Sequence, residues 1–197
     1  MNERTSHVVR NTKETQIDLS LNLDGSGKAE IDTGIGFFDH MLNSFTRHGF
    51  MDSVIRVKGD LEVDTHHTIE DTGLVLGQAI REAVGDKKGI RRFGSCILPM
   101  DDALVLCALD LSGRPYLGFD VPLTVERIGD FETECCIEFF RSVANTAEMN
   151  LHIRLLAGEN NHHIVESCFK AFAKALDQAV SYDERLTDTI LSTKGSL

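Results

Sequence analysis

The strongest constraint on the fold is an internal repeat, in which HHTIED at residues 66–71 returns 96 residues later as HHIVES at residues 162–167. Each copy is followed by a stretch with the apolar periodicity of a helix, GLVLGQAIREAVGD in the first case and CFKAFAKALDQAVSYD in the second. The repeat predicts a chain of two similar halves. Each half is expected to end in a helix that begins at its histidine pair.

The chemistry of the repeat indicates a metal site. If HHxxE opens a helix, the glutamate lies one turn from both histidines, while the two neighbouring rings point about 100° apart. Adjacent histidines are therefore expected to bind different ions, or one ion inside the subunit and another across a subunit contact. Imidazoles with carboxylates suit Mn, Fe, Co or Zn, and the carboxylates favour Mn or Fe. The predicted ligands are His66, His67, Glu70, His162, His163 and Glu166.

Other histidines extend this set. His40, in FFDHML, is expected on the polar side of a helix, where it offers a third nitrogen to a metal. His48 comes at the end of the same helix, where a protonated histidine also interacts favourably with the helix dipole.

Charge limits the classes of partner. A net charge of -11 argues against nucleic-acid binding, which needs a basic face, and no apolar run approaches the roughly 20 residues that span a bilayer. We therefore expect a cytoplasmic protein with no membrane or nucleic-acid partner. An anionic substrate would need a local basic cluster, and STKG near the C-terminus combines a hydroxyl, backbone N–H groups and an ammonium as a phosphate cradle would. The basic candidates are Arg92, Arg114, Lys170 and Lys194.

Periodicity predicts strand, strand, strand, helix, strand and helix in each half. Residues 130–148, DFETECCIEFFRSVANTAE, are expected to be the helix before the second half's last strand. An α+β fold with one sheet per half, and the helices packed between the two sheets, buries both apolar surfaces. The expected arrangement is a single domain of two pseudo-symmetric halves, about 1–88 and 89–182, with a C-terminal arm at 183–197.

Several stretches together resemble the imidazoleglycerol-phosphate dehydratase family over nearly the whole chain. They are RNTKET, LDGSGKAEIDTGIGFFDHML, GDLEVDTHHTIEDTG, LAGENNHHIVES and STKG. The resemblance implies a duplicated fold of the ribosomal-protein-S5-domain-2-like type and an assembly of 24 subunits built from trimers. It also implies two Mn²⁺ ions per active site, held between subunits.

The resemblance also implies a mechanism. An imidazolate ring of the substrate bridges the two metals, the neighbouring hydroxyl is expelled to give a diazafulvene-like intermediate, and a carboxylate then removes a proton. Glu166 is the expected base, with Glu14, Asp101 and His40 as helpers in proton transfer. The residues expected to bind the substrate, most of them through its phosphate, are Glu14, His48, Arg92, Arg114, Lys170, Ser192 and Lys194.

One position departs from the family pattern. The family commonly carries a metal-binding histidine just before the FF of the second-half helix, where this chain has Glu138 in CIEFF. Because glutamate also ligates manganese, Glu138 is retained as an expected ligand, and His152 or water stays open as the alternative at this position. Two alternatives stay open from the residues alone: a dinuclear metallohydrolase of a phosphate ester, and a metal-storage shell. The storage alternative predicts an all-helical bundle, which the strand-rich sequence disfavours.

Overall fold

The computed structural model describes residues 4–187 and 189–196, and within them the chain forms two similar halves. The first half contains β1 (Thr5–Asn11), β2 (Thr15–Asn22), β3 (Ala29–Asp32), α1 (Gly36–His48), β4 (Asp52–Gly59) and α2 (His66–Val84). The second half contains β5 (Phe93–Met100), β6 (Ala103–Asp110), β7 (Tyr116–Asp120), β8 (Arg127–Ile128), β9 (Phe131–Glu132), α3 (Cys135–Thr146), β10 (Asn150–Ala157) and α4 (Asn161–Val180).

The two main sheets have the same topology. Their strand orders are β1-β2-β4-β3 and β5-β6-β10-β7, so the third strand of each half lies at one edge beside the fourth. That edge pair is parallel in both sheets, and the other pairs are antiparallel. The predicted order of strands and helices in each half is therefore confirmed.

The helices lie between the sheets because each sheet has one apolar face. On β2 the side chains of Ile17, Leu19 and Leu21 are buried while their neighbours face outward, which is the period-two pattern of a half-buried strand. Helices α2 and α3 approach closely at Gly73, where an added Cβ would lie 2.7 Å from the Phe139 carbonyl oxygen. This arrangement confirms the predicted α+β fold with the sheets outside.

The segment before α3 differs from the prediction. Residues 130–148 were expected to be helical throughout, but the helix begins at Cys135, and Phe131–Glu132 pairs with Arg127–Ile128 in a small hairpin. The hairpin forms because Gly129 adopts φ 59° at the turn, which β-branched or bulky residues rarely do. The Thr133 hydroxyl then donates to the Val125 carbonyl and closes the hairpin's base.

The C-terminal arm is held against the second half. The Asp183 amide donates to the Gly89 carbonyl at 2.8 Å, and the Gly89 amide donates to the Thr189 carbonyl at 2.9 Å. In the described part of the arm the chain follows turns, with one isolated bridge between Ile90 and Tyr182. No helix among the described residues is long and apolar enough to cross a membrane.

Candidate metal centre and active site

Helices α1 and α4 bring three predicted ligands together. Nε2 of His40 lies 3.4 Å from Oε2 of Glu166, and Nε2 of His162 lies 3.2 Å from the same oxygen. One ligand atom from each of the three residues lies within 4.8 Å of the others. Glu166 is only 5 % exposed, while both histidine rings are open to solvent. The carboxylate is therefore the buried member of the group, and the two rings face the solvent. Two imidazoles and a carboxylate form a ligand set for a borderline divalent metal.

The second oxygen of Glu166 has a different partner. Its Oε1 accepts an ion-pair contact from Lys170 Nζ at 2.7 Å, one turn further along α4. Burial alone would raise the pKa of this carboxyl, but the Lys170 ammonium and His40 together hold the pKa below its usual value. Glu166 is therefore an ionised carboxylate with one oxygen facing the two rings.

The first motif forms a second, smaller group on α2. Nε2 of His66 lies 3.4 Å from Oε2 of Glu70 one turn away. The ring of His67 is turned away from that of His66, since the planes of the two rings are 83° apart. In the second motif the planes of the His162 and His163 rings are 81° apart. Each motif thus presents its two imidazoles in two directions, as the one-residue spacing on a helix requires.

An aspartate orients the second histidine of each motif. Nδ1 of His67 donates to Asp60, 3.0 Å away, and Nδ1 of His163 donates to Asp102, 2.7 Å away. Asp102 also accepts two backbone N–H groups at the approach to α4, and these three bonds lower its pKa well below its usual range. With Nδ1 engaged, each ring keeps Nε2 for a metal or substrate, which is the usual carboxylate–histidine arrangement of metal sites.

Sequence reasoning missed both aspartates. Asp60 follows β4 whereas Asp102 lies in the turn between β5 and β6, so they are not equivalent in the repeat. Each aspartate is recognised by its position next to a histidine ring in the fold. The sequence alone does not give that position. The predicted residue Asp101 lies beside this arrangement, with Oδ2 at 3.5 Å from Nε2 of His163.

Glu138 occupies the position in α3 that His40 occupies in α1. Each residue lies ten positions before one with a left-handed backbone, Phe50 at φ 55° and Glu148 at φ 54°, which fixes the register of the two helices. The Glu138 carboxylate pairs with Arg141 one turn away on the same helix. The described residues do not place Glu138 in a group of three ligand atoms like that around Glu166.

The predicted phosphate-binding residues fall into two separate groups. His48 and Lys170 lie near Glu166: burial lowers the pKa of His48, and the Lys170 charge lowers it further. Arg92 and Ser192 line one surface pocket with the C-terminal arm, where the Arg92 guanidinium donates to the Leu191 carbonyl at 2.7 Å and pairs with Asp110. Lys194 follows on the same arm, and Arg114 lies just beyond the end of β6.

The Arg92 group and His162 lie at opposite ends of α4, whereas Lys170 lies between them, near the middle of the helix. The Arg92 amide donates to the Ala179 carbonyl in the last turn of α4, whereas His162 stands in the first turn. Seventeen residues of helix separate them, which is about 25 Å at 1.5 Å per residue. One subunit therefore does not bring the Arg92 group and the His162 group to one small ligand.

Glu14 lies on the first half, near the first motif. It occupies the exposed turn between β1 and β2. The hydrogen bond that His67 donates to Asp60 is the main cause of the raised pKa of His67, and the charge of Glu14 adds to it. The Glu14 carboxylate is thus within electrostatic reach of the His67 ring.

Comparisons with known proteins identify the family of the chain. The family model described as imidazoleglycerol-phosphate dehydratase matches residues 33–176. Enzymes of that name from Lachnoclostridium phytofermentans and Acetivibrio thermocellus are 61% identical over 194 residues (98% of each chain) and 58% identical over 195 residues (99% of this chain, 100% of the relative).

Two solved structures share the fold as well. The imidazoleglycerol-phosphate dehydratase of Staphylococcus aureus superposes with a TM-score of 0.83 at 40% identity, covering 91% of this chain and 99% of its own. The Pyrococcus furiosus structure gives a TM-score of 0.84 at 39% identity, covering 96% of this chain and all of its own. The range matched by the family model, residues 33–176, contains both histidine motifs.

Proposed function

The chain belongs to the imidazoleglycerol-phosphate dehydratase family of hydro-lyases, and from this premise we propose that it converts imidazole glycerol phosphate to imidazole-acetol phosphate in histidine biosynthesis. The observation that carries the proposal is the group of His40, His162 and Glu166, which sets a buried carboxylate beneath two open imidazoles. Such a group both ligates a metal and accepts a proton.

We propose that this chain holds two Mn²⁺ ions in each active site. The donor set fits, because it mixes neutral imidazoles with ionised carboxylates, and Nε2 of His67 and of His163 is left available by the aspartates behind each ring. When bound, the metals would act as Lewis acids that hold the substrate ring as its anion. The proposed ligands are His40, His66, His67, Glu70, Glu138, His162, His163 and Glu166.

The proton chemistry is assigned to the chain's own carboxylates. The carbon–oxygen bond beside the imidazole ring breaks and hydroxide leaves, and the Glu166 carboxylate takes the proton from the next carbon. The enol that results becomes the ketone, and one water is released with the phosphate ester intact. His40 lies 3.4 Å from Glu166 and can pass this proton on. Glu14 and Asp101 assist proton transfer at the leaving hydroxyl.

We propose that the phosphate is held at the boundary between subunits. His48 and Lys170 are placed beside Glu166, whereas Arg92, Ser192 and their neighbours Arg114 and Lys194 stand at the far end of α4. A small substrate that contacts both His162 and the Arg92 group, which are about 25 Å apart along α4, needs the second group from another copy of the chain. A symmetric homo-oligomer satisfies this requirement, and we propose the 24-subunit assembly of trimers.

Incubation with imidazole glycerol phosphate tests the proposed reaction. The protein is stripped of metal, reloaded with Mn²⁺, and assayed for the absorbance of the ketone's enolate in alkali. We expect product only after reloading, with no free phosphate. Release of inorganic phosphate in place of the ketone would instead favour a phosphate-ester hydrolase, and no product from assembled, Mn²⁺-loaded protein would overturn the proposal.

Asp102→Asn is expected to weaken metal binding by about 10- to 100-fold, because it removes the carboxylate that orients His163. Isothermal titration of the metal-free protein with Mn²⁺ measures the change directly. Asp52→Asn is the matched control, since Asp52 likewise accepts two backbone N–H groups, from Ser26 and Lys28, but contacts no histidine. Equal Mn²⁺ affinity in the two variants would show that Asp102 only braces its loop.

A further inference from the structure

The turn that carries Glu14 is fixed to the first histidine motif by one buried carboxylate. Asp71, the residue after Glu70, is 7 % exposed on α2. Its Oδ2 oxygen accepts from Arg10 Nη1 of β1 and from the Thr15 hydroxyl of β2, each at 2.5 Å. A single oxygen atom therefore ties both strands of the β1–β2 hairpin to the motif helix.

The turn itself is held by a local network. The Thr12 amide donates to the Thr15 carbonyl at 2.8 Å, and the Thr12 hydroxyl accepts from the Glu14 and Thr15 amides at 3.2 and 3.0 Å. The turn thus moves as one piece with Thr15. Because Thr15 is bonded to Asp71, the position of Glu14 relative to α2 depends on Asp71.

The same helix face presents the first motif. Asp71 lies one turn beyond His67 on α2, so the two side chains share a face. Glu14 directly precedes Thr15, whose hydroxyl is bonded to Asp71 on this face. The hairpin therefore places Glu14 beside the face of α2 that carries Asp71 and His67.

We propose that Asp71 is a positioning residue for the dehydration, which holds the Glu14 carboxylate in register with the first histidine motif. The proposal rests on the proposed function, in which Glu14 serves the leaving hydroxyl. A buried aspartate with an arginine partner also stabilises a fold, so the test must separate positioning from stability. Asp71 touches neither substrate nor metal in this assignment, and acts only through the turn.

The decisive experiment combines Asp71→Asn with Glu14→Gln in the Mn²⁺-loaded, assembled enzyme. Alone, Asp71→Asn is expected to lower kcat by about 10- to 100-fold, since a displacement of about 1 Å has effects of that size. In the Glu14→Gln background the same substitution should lower kcat no further, because the group that it positions is already lost. An equal loss in both backgrounds, or no loss in the first, would overturn the proposal.

Matched variants keep the result interpretable. Asp24→Asn breaks a more exposed aspartate–arginine pair, in which Arg4 donates to Asp24 and also to the Val180 carbonyl at the end of α4, and should leave kcat unchanged. If Asp71→Asn does not fold, Thr15→Val removes the hydroxyl donor and Thr15→Ser retains it, so only the first should lower kcat. Equal kcat in these two variants would contradict the assignment.

Hydrogen exchange supplies a readout that does not depend on activity. In Asp71→Asn the amides of Glu14 and Thr15 should exchange faster, while the amides of β4 keep their protection. Inactive wild-type enzyme would count against the dehydratase function, whereas active wild type with unchanged exchange and kcat in Asp71→Asn would count against Asp71 alone.

Discussion

Replacing Glu166 by glutamine is expected to lower kcat by about 10²- to 10⁴-fold, the contribution of a positioned general base. Glutamine has nearly the same shape, but its amide does not accept the substrate proton. The Lys170 ammonium would lose its ionic partner at Oε1, and the two rings would lose the anionic oxygen between them. Glu166→Gln therefore removes a base and weakens a ligand in one step.

Measuring metal content together with turnover separates these two effects. If Glu166→Gln retains Mn²⁺ and binds substrate but does not turn over, the base assignment is supported. If turnover returns when Mn²⁺ is raised, the carboxylate acts as a ligand and another group is the base. Glu82→Gln is the control, because Glu82 lies on the exposed side of α2, where its side chain accepts a hydrogen bond from the Gln78 side chain. Wild-type turnover in Glu166→Gln would exclude both roles.

Local sequence patterns predicted most of the fold. The helix of the first half was predicted to begin at its histidine pair, and α2 begins at His66. The strands were predictable for the same reason, because the alternation at Ile17, Leu19 and Leu21 depends only on which face is buried. Patterns of this kind are set by neighbours along the chain.

Features made by distant residues were not predictable. Asp71 and Arg10 lie 61 residues apart, and Asp102 and His163 also lie 61 apart, so neither pair leaves a local pattern. The hairpin before α3 was missed because its two-residue strands are too short to show alternation. The repeat did predict that a histidine and a glutamate lie one turn apart in each motif, as His66 and Glu70, and His162 and Glu166, do. It did not predict that the group around Glu166 would differ from the group on α2.

That difference between the groups bears on how the site is completed. Around Glu166 the carboxylate has a histidine from α1 and another from α4, whereas on α2 the pair of His66 and Glu70 stands without a histidine from α3, where Glu138 pairs with Arg141. The α2 group has fewer donors of its own. It therefore gains more from ligands supplied by a second subunit.

Mixed oligomers are expected to recover activity from two inactive parents. One parent carries Glu166→Gln, and the other carries Arg114→Glu with Lys194→Glu, which reverses charge in the group beyond the far end of α4. If each active site takes Glu166 from one subunit and the basic group from another, about a quarter of the sites in a 1:1 co-assembly combine two intact contributions. Turnover near that fraction of wild type is the expected result, measured on co-expressed hybrids purified through two different tags.

The geometry of α4 explains why recovery distinguishes the two arrangements. If one subunit supplied both groups, every subunit in the hybrid would carry one defect and no site would be intact. A second hybrid serves as the control: Glu166→Gln with His162→Ala places both defects in the same group, 3.2 Å apart in the parent chain, so no combination of subunits is intact. Recovery in the first hybrid and none in the second requires a site shared between subunits. No recovery in either, from hybrids of full size, would place the whole site within one subunit and contradict the separation along α4.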